Sequence, residues 1–161
     1  MITVLMECRD QEAALARSLG ALVPGAVEGL VREAIVFDHG SGDGSAKVAD
    51  AAGCRFIPAV AMAGTIAAAR SDWLFILETG ACPLAGWIEA FDAHMASSTR
   101  PARLKPSDER GPFAKLRLRS RPLRGGMLIP KSAVRPGSDG LKRAVRGVRP
   151  ITLAAGMHPA A

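Results

Sequence analysis

The sequence is poor in several features, and each shortage excludes something. It has only three cysteines, Cys8, Cys54 and Cys82, widely spaced and outside any Cys-x-x-Cys pattern. So odd and scattered a set describes neither a disulfide framework nor a zinc site; it fits reduced thiols in a cytoplasmic protein. Aromatic residues make up 4% of the chain, and Phe113 is the one aromatic after Phe91. Base stacking needs such platforms, so specific recognition of nucleic acid is not expected. Long hydrophobic runs are missing as well. The longest uncharged stretch, between Arg55 and Arg70, contains Pro58 and Gly64 and is too short to span a bilayer. The opening "MITVLME" has neither the basic start nor the apolar length of a signal peptide, so no targeting segment is expected.

Acidic residues run out in the second half. Through Ser98 there are 6 Lys and Arg against 12 Asp and Glu; from Arg100 onward there are 15 against 3, the three being Asp108, Glu109 and Asp139. The acidic first part and basic second part suggest surfaces with different partners, the basic one facing phosphate, anionic lipid or nucleic acid, with a plain solvated basic face as the alternative. The expected location is the cytoplasm, including peripheral attachment at the inner face of the membrane. With 161 residues, 48% hydrophobic and 22% charged, the chain is expected to fold as a single domain over 1–161. Residues 1–97 form its first half and 98–161 a short basic second half.

The apolar pattern sets the fold class. "ITVLM" (Ile2 to Met6), "EAIVF" (Glu33 to Phe37), "CRFIP" (Cys54 to Pro58) and "DWLFIL" (Asp72 to Leu77) are continuous runs of the kind seen in doubly covered strands. Helical spacing occupies Asp10 to Leu22, with Asp10 as N-cap and Pro24-Gly25 as its end, then Ser45 to Ala52, Thr65 to Arg70 and Pro83 to Met95. Alternating strands and helices imply a three-layer α/β sandwich with a mainly parallel sheet. Beyond Ser98 the pattern lapses. "SSTRPARLKPSDERGP" reads as a mobile connection, Leu116 and Leu118 as a strand with a basic face, "GGMLIP" as a strand and Gly140 to Val145 as a short helix. The last dozen residues read as a tail that frays.

Ligands of open α/β sheets lie beyond the carboxyl ends of the strands. Three loops would gather there: "ECRDQE", "DHGSGDGS" and "ETGACP". The glycine-rich one is not a dinucleotide fingerprint, since it follows the second strand and has Ser45 at the third glycine position. No Lys-Ser/Thr pair follows as a P-loop requires, and the oxygen ligands do not alternate toward a distal Glu as calcium requires. An Asx/Gly turn that caps the next helix remains open as an alternative to a ligand-holding loop.

Three segments in order, "FDHGSGDGS" (Phe37 to Ser45), "AAARSDWLFILETG" (Ala67 to Gly80) and "PLAGWIEA" (Pro83 to Ala90), resemble the nucleotide-sugar-binding half of family 2 glycosyltransferases, which have the GT-A fold. The resemblance covers about Ile2 to Met95. It implies a nucleotide-diphosphate sugar as partner, with Asp38, His39, Asp43 and Arg70 at the nucleotide-sugar. His39 replaces the second acid of the family's "DDGS". The metal motif Asp-x-Asp reads Glu78-Thr79-Gly80, leaving Glu78 as the one ligand for Mg2+ or Mn2+. The acceptor-side base is assigned to Asp139, for which a plain Ser-Asp-Gly turn is the competing explanation. Two functions follow. One is sugar transfer to an anionic lipid or a phosphate-bearing acceptor held by the basic 100–149 region. The other is a non-catalytic binding or partner-interaction protein of the same fold that has lost the metal site.

Overall fold

In a computed structural model, residues 1–107, 122–135 and 140–160 are described. The expected Leu116/Leu118 strand and Asp139 lie outside them.

Eight strands form one sheet: β1 (Ile2–Cys8), β2 (Val31–Asp38), β3 (Arg55–Pro58), β4 (Trp73–Ile76), β5 (Cys82–Pro83), β6 (Ala102–Pro106), β7 (Met127–Pro130) and β8 (Ile151–His158). Their spatial order is β3-β2-β1-β4-β7-β6-β8-β5. The pairs β1/β2, β1/β4, β2/β3 and β6/β8 are parallel, while β7 is antiparallel to both β4 and β6, and β5 to β8. Among the described residues, four helices of more than one turn accompany them: α1 (Glu12–Val27), α2 (Ser45–Ala51), α3 (Met62–Ala68) and α4 (Trp87–Ser97).

The strand period of two splits the core. Ile2, Val4, Met6 and Cys8 of β1 face one side, where they meet Leu15, Leu19 and Leu22 of α1, Ala49 of α2 and Trp87, Ile88 and Phe91 of α4. Leu5, Ile35, Phe37, Leu74 and Ile76 face the other, against Met62 and Ile66 of α3 and Leu141 and Ala144 of a helical turn at Leu141–Ala144. Helices thus cover both faces, giving the three layers implied by the sequence. An aromatic cluster anchors the first face: Phe75 stands edge-on to Phe91 at 4.8 Å between centroids and stacks on Trp87 at 6.1 Å.

Strand order runs outward from β1 in both directions. The first two crossovers place α1 and α2 on one face; the third, from β3 back across to β4, places α3 on the other. Such a reversal leaves a crevice at the carboxyl ends of the two central strands. Here those strands are β1 and β4.

Four expectations are corrected. Residues 102–106 are not part of a mobile connection but strand β6, with Ala102, Leu104 and Pro106 buried in alternation with the less buried Arg103 and Lys105. The chain's last dozen residues do not fray: Ile151–His158 is a strand lying between β6 and β5. The first helix does not stop at Pro24. It continues to Val27: Pro24 forfeits one helical bond, but the turn beyond it is kept, with Gly25 buried against Trp87 and the Glu28 amide donating to Pro24 O at 2.9 Å. Pro83, read as part of a helix, belongs to the two-residue β5, and α4 starts at Trp87.

That contact separates two glycines of one helix. A Cβ at Gly25 would lie 2.5 Å from Trp87 Cη2, whereas one at Gly20 meets nothing within 4 Å. Gly20→Ala is expected to raise stability by roughly 0.5–1 kcal/mol through helix propensity. Gly25→Ala is expected to lower it by about 1–3 kcal/mol, as overpacking outweighs the same gain. Urea unfolding midpoints of the two variants check both signs.

Candidate functional site

Each of the three loops begins where a buried strand ends. β1 ends in Glu7-Cys8, β2 in Asp38, and β4 leads through Leu77 into Glu78-Thr79, the Leu77 amide still donating to Leu5 O at 3.1 Å. Asp38, His39, Asp43 and Glu78 therefore come to one edge of the sheet.

At the β2 side the glycine-rich loop is satisfied from within. The Asp38 carboxylate accepts from the amides of Gly40 and Ser41 (3.1 and 3.0 Å) and from the Ser41 hydroxyl at 2.6 Å, an Asx turn. The Gly42 amide donates to Asp10 Oδ1 at 2.7 Å and the Gly44 amide to Glu12 Oε2 at 3.0 Å. In return Asp43 Oδ2 accepts from the Glu12 amide at 2.9 Å, and the hydroxyls of Ser41 and Ser45 accept from the amides of Asp10 and Gln11. His39 N donates to Cys8 O and Ser45 N to Asp43 Oδ1. The loops after β1 and β2 are thus laced together. Asp10, at φ +50°, does not cap its helix as expected; its carboxylate serves Gly42 instead.

Burial works to raise the Asp38 carboxyl, but the Ser41 hydroxyl, the Ser41 and Gly40 amides and nearby His39 together hold it below its ordinary value. Asp43 is lowered as well, by Ser45 first and then by the Glu12 amide. Both acids are ionised at neutral pH and already engaged.

Between β1 and β4 lies a cavity of about 430 Å³ lined by Glu7, Gln11, Leu77, Glu78, Thr79, Leu123, Leu141, Lys142 and Ala160. Glu7 holds it together. Its Oε1 meets His39 Nε2 at 2.9 Å, its Oε2 accepts from the Leu141 amide at 3.0 Å, and its main-chain carbonyl accepts from the Thr79 hydroxyl at 2.6 Å. Gly140 must be glycine here, with φ +107° and any Cβ 3.3 Å from Glu7 Oε1. Glu78 Oε1 is paired with Lys142 Nζ at 2.9 Å.

Arg70 is not brought to this edge. It is exposed and precedes β4, whose carboxyl end leads to Glu78; the intervening strand spans roughly 13 Å at the usual rise per residue. Next to it, Ala69 O accepts from Lys131 Nζ at 2.8 Å, which fixes this segment at the opposite end. The segment preceding β4 lies where the strand starts, so the backbone of Arg70 and that of Glu78 sit at opposite ends of β4. Asp139 lies outside the described residues. Sequence reasoning missed Glu7, Thr79 and Lys142. For Glu7 the signal was a lone charge near the end of an otherwise apolar strand; for Lys142, 64 residues from its partner Glu78, there was none.

No protein-family model matches the chain, and no curated protein matches it in sequence. Solved structures do match in shape. Glucosyl-3-phosphoglycerate synthase from Mycobacterium tuberculosis, in complex with Mn2+, UDP and glucosyl-3-phosphoglycerate, superposes with a TM-score of 0.67 at 18% identity over 100% of this chain and 72% of its own. The same enzyme with Mg2+ and UDP gives 0.69 at 18% identity over the same shares. A further mycobacterial protein gives 0.67 at 20% identity, over 100% of this chain and 67% of its own. The chain has the GT-A type of fold found in nucleotide-sugar glycosyltransferases.

The residues at this edge do not make a cage for a divalent cation. Among the described residues, no group of three or more His, Cys, Asp or Glu is placed to share a metal. Gly80 supplies no side chain, and at φ +101°, with the Ala14 and Ala160 Cβ atoms 3.5 and 3.6 Å from a Cβ built there, its backbone disfavours one. Both Glu7 oxygens are taken, and Glu78 already has an ammonium beside it.

The Asp38 turn gives an acid-dependent contribution to stability. Its folded pKa is lowered, so the contribution is complete above the unfolded value of about 3.9 and is lost as pH falls through the folded value. Asp38→Ala is expected to cost on the order of 1 kcal/mol at pH 7, after allowance for solvent screening. The gap to the parent protein should narrow below about pH 4. Urea unfolding at pH 7 and at pH 3.5 measures it.

Proposed function

We propose that the protein transfers a sugar from a nucleoside-diphosphate sugar to a phosphate-bearing acceptor. The reading is carried by one observation: the loops ending β1 and β4, at the reversal of strand order in a GT-A type sheet, enclose a polar cavity large enough for part of such a donor. Structures of similar fold support the substrate class. Those of the mycobacterial synthase hold UDP, or UDP-glucose together with phosphoglyceric acid.

In this reading the cavity beside Glu78, Thr79 and Lys142 takes the diphosphate, and the laced loops of Asp38 and Asp43 form the wall beside it. Asp38 and Asp43 act by holding loop shape rather than by offering free oxygens to the donor. His39 takes part through Glu7, against which it is hydrogen-bonded. The basic surplus of residues 100–149 draws in an acceptor with a phosphate. An acceptor hydroxyl must lose a proton during transfer, and a carboxylate is the usual base. Asp139 is our candidate for that base, since it immediately precedes Gly140, which stands against Glu7 at the cavity rim. Peripheral membrane binding, with a lipid phosphate as acceptor, is the variant in which the same basic region meets a bilayer. Among the described residues no helix is long and apolar enough to cross one.

Calorimetric titration of the chain with UDP-glucose, in separate runs with Mn2+ and with EDTA, tests the proposal. Saturable binding in at least one condition, with slow release of glucose or transfer to 3-phosphoglycerate, is expected. Binding without any sugar release identifies the non-catalytic alternative, and absence of binding at millimolar donor rejects both.

A further inference from the structure

The inference concerns what neutralises the diphosphate, and it rests on the nucleotide-sugar reading of the cavity. A diphosphate entering this space meets two carboxylates, Glu7 and Glu78, and so needs a cation. The common solution, a divalent ion between two acids, lacks its donors here. Gly80 has no side chain, and Glu7 is occupied by His39 and Leu141. Arg70 lies at the far end of β4.

Among the described residues that line the cavity, one is a cation. Lys142 lines the cavity, and its Nζ lies 2.9 Å from Glu78 Oε1, the single acid left of the metal motif. Its backbone is fixed by the preceding residue, whose amide is bound to Glu7. Its side chain is 64% exposed while that of Glu78 is 20% exposed, so the acid is set in the wall and the ammonium faces the open space. A lysine ammonium has three donors and no acceptor, and one bond to Glu78 leaves others for phosphate oxygens. We propose that Lys142 is the protein's own phosphate-binding cation, steered by Glu78, and that it holds a nucleoside diphosphate without a divalent ion. Lys142 is then a binding residue and Glu78 a positioning residue.

The test is equilibrium titration of the full chain with UDP, by calorimetry, in EDTA and in Mn2+. Dissociation constants within about threefold of each other in the two conditions are expected. Lys142→Met should weaken binding about tenfold or more in both, and Lys142→Arg should keep most of it, since a charge-assisted phosphate contact is restored. Glu78→Gln should leave binding within about threefold, because it keeps a hydrogen-bond acceptor for the ammonium, whereas a metal ligand lost in this way would abolish metal-dependent binding. Thermal melting confirms that each variant is folded. Binding seen only with Mn2+, lost in Glu78→Gln and indifferent to Lys142→Met, overturns this inference and leaves the nucleotide-sugar reading standing. No binding of UDP in either condition overturns both.

Discussion

The arrangement of this edge depends on one carboxylate. Glu7 ends a strand buried on both faces, so its position is fixed by the core beneath it. Its side chain ties the loop after β2 through His39 and the second half of the chain through the Leu141 amide; its carbonyl ties the loop after β4 through Thr79. Four segments distant in sequence thus meet at a single residue. A partly buried carboxylate that accepts several hydrogen bonds is a stronger joint than apolar contact alone would give, and it fixes direction as well as distance. The geometry of Lys142 and Glu78 is a consequence, since the helical turn bearing the lysine is held by that same acid.

The glycine-rich loop shows how a motif can keep its form after its donors are committed. A loop that cradles phosphate presents free amides. Here the amides of His39, Gly40, Ser41, Gly42, Gly44 and Ser45 all donate within the protein, several to carboxylates. Gly40 is required by its backbone, at φ +87°, and a Cβ at Gly44 would lie 2.5 Å from the Glu12 carboxylate, which would have to swing away and give up its bond to the Gly44 amide. The loop braces the segment after β1, and the carboxylates of Asp38 and Asp43 are engaged in holding that shape.

Much of the first half was legible because its physics is local. The apolar runs of β1, β2 and β4 and the helical spacing of α1 mark elements that bury continuous surface, and their alternation implies a layered parallel sheet. The second half was harder. β6 is five residues long, flanked by charge and proline, and its burial depends on β7 and β8 being beside it. β8 alternates weakly, and pairing with β6 on one side and β5 on the other makes a strand of it. At the site, Asp38 and Glu78 were legible as strand-ending acids. Arg70 precedes β4, so the order of the segments already sets its backbone at the amino end of that strand, a constraint the resemblance did not weigh. The Lys142–Glu78 and Glu7–Leu141 contacts join distant parts of the sequence, and no local pattern encodes such pairs.

The placing of β8 bears on how the chain reaches this state. β8, which follows both β5 and β6 in the sequence, sits inside the sheet between them, and its Met157 packs in the main core. A ribosome delivers residues in order, so β1 to β4 can associate while the rest is still being synthesised. β5 and β6, however, wait with open edges until residues 151–158 emerge. Growth of the sheet is therefore out of step with synthesis, and the interval before the final insertion is when an exposed edge is open to pairing with another nascent chain.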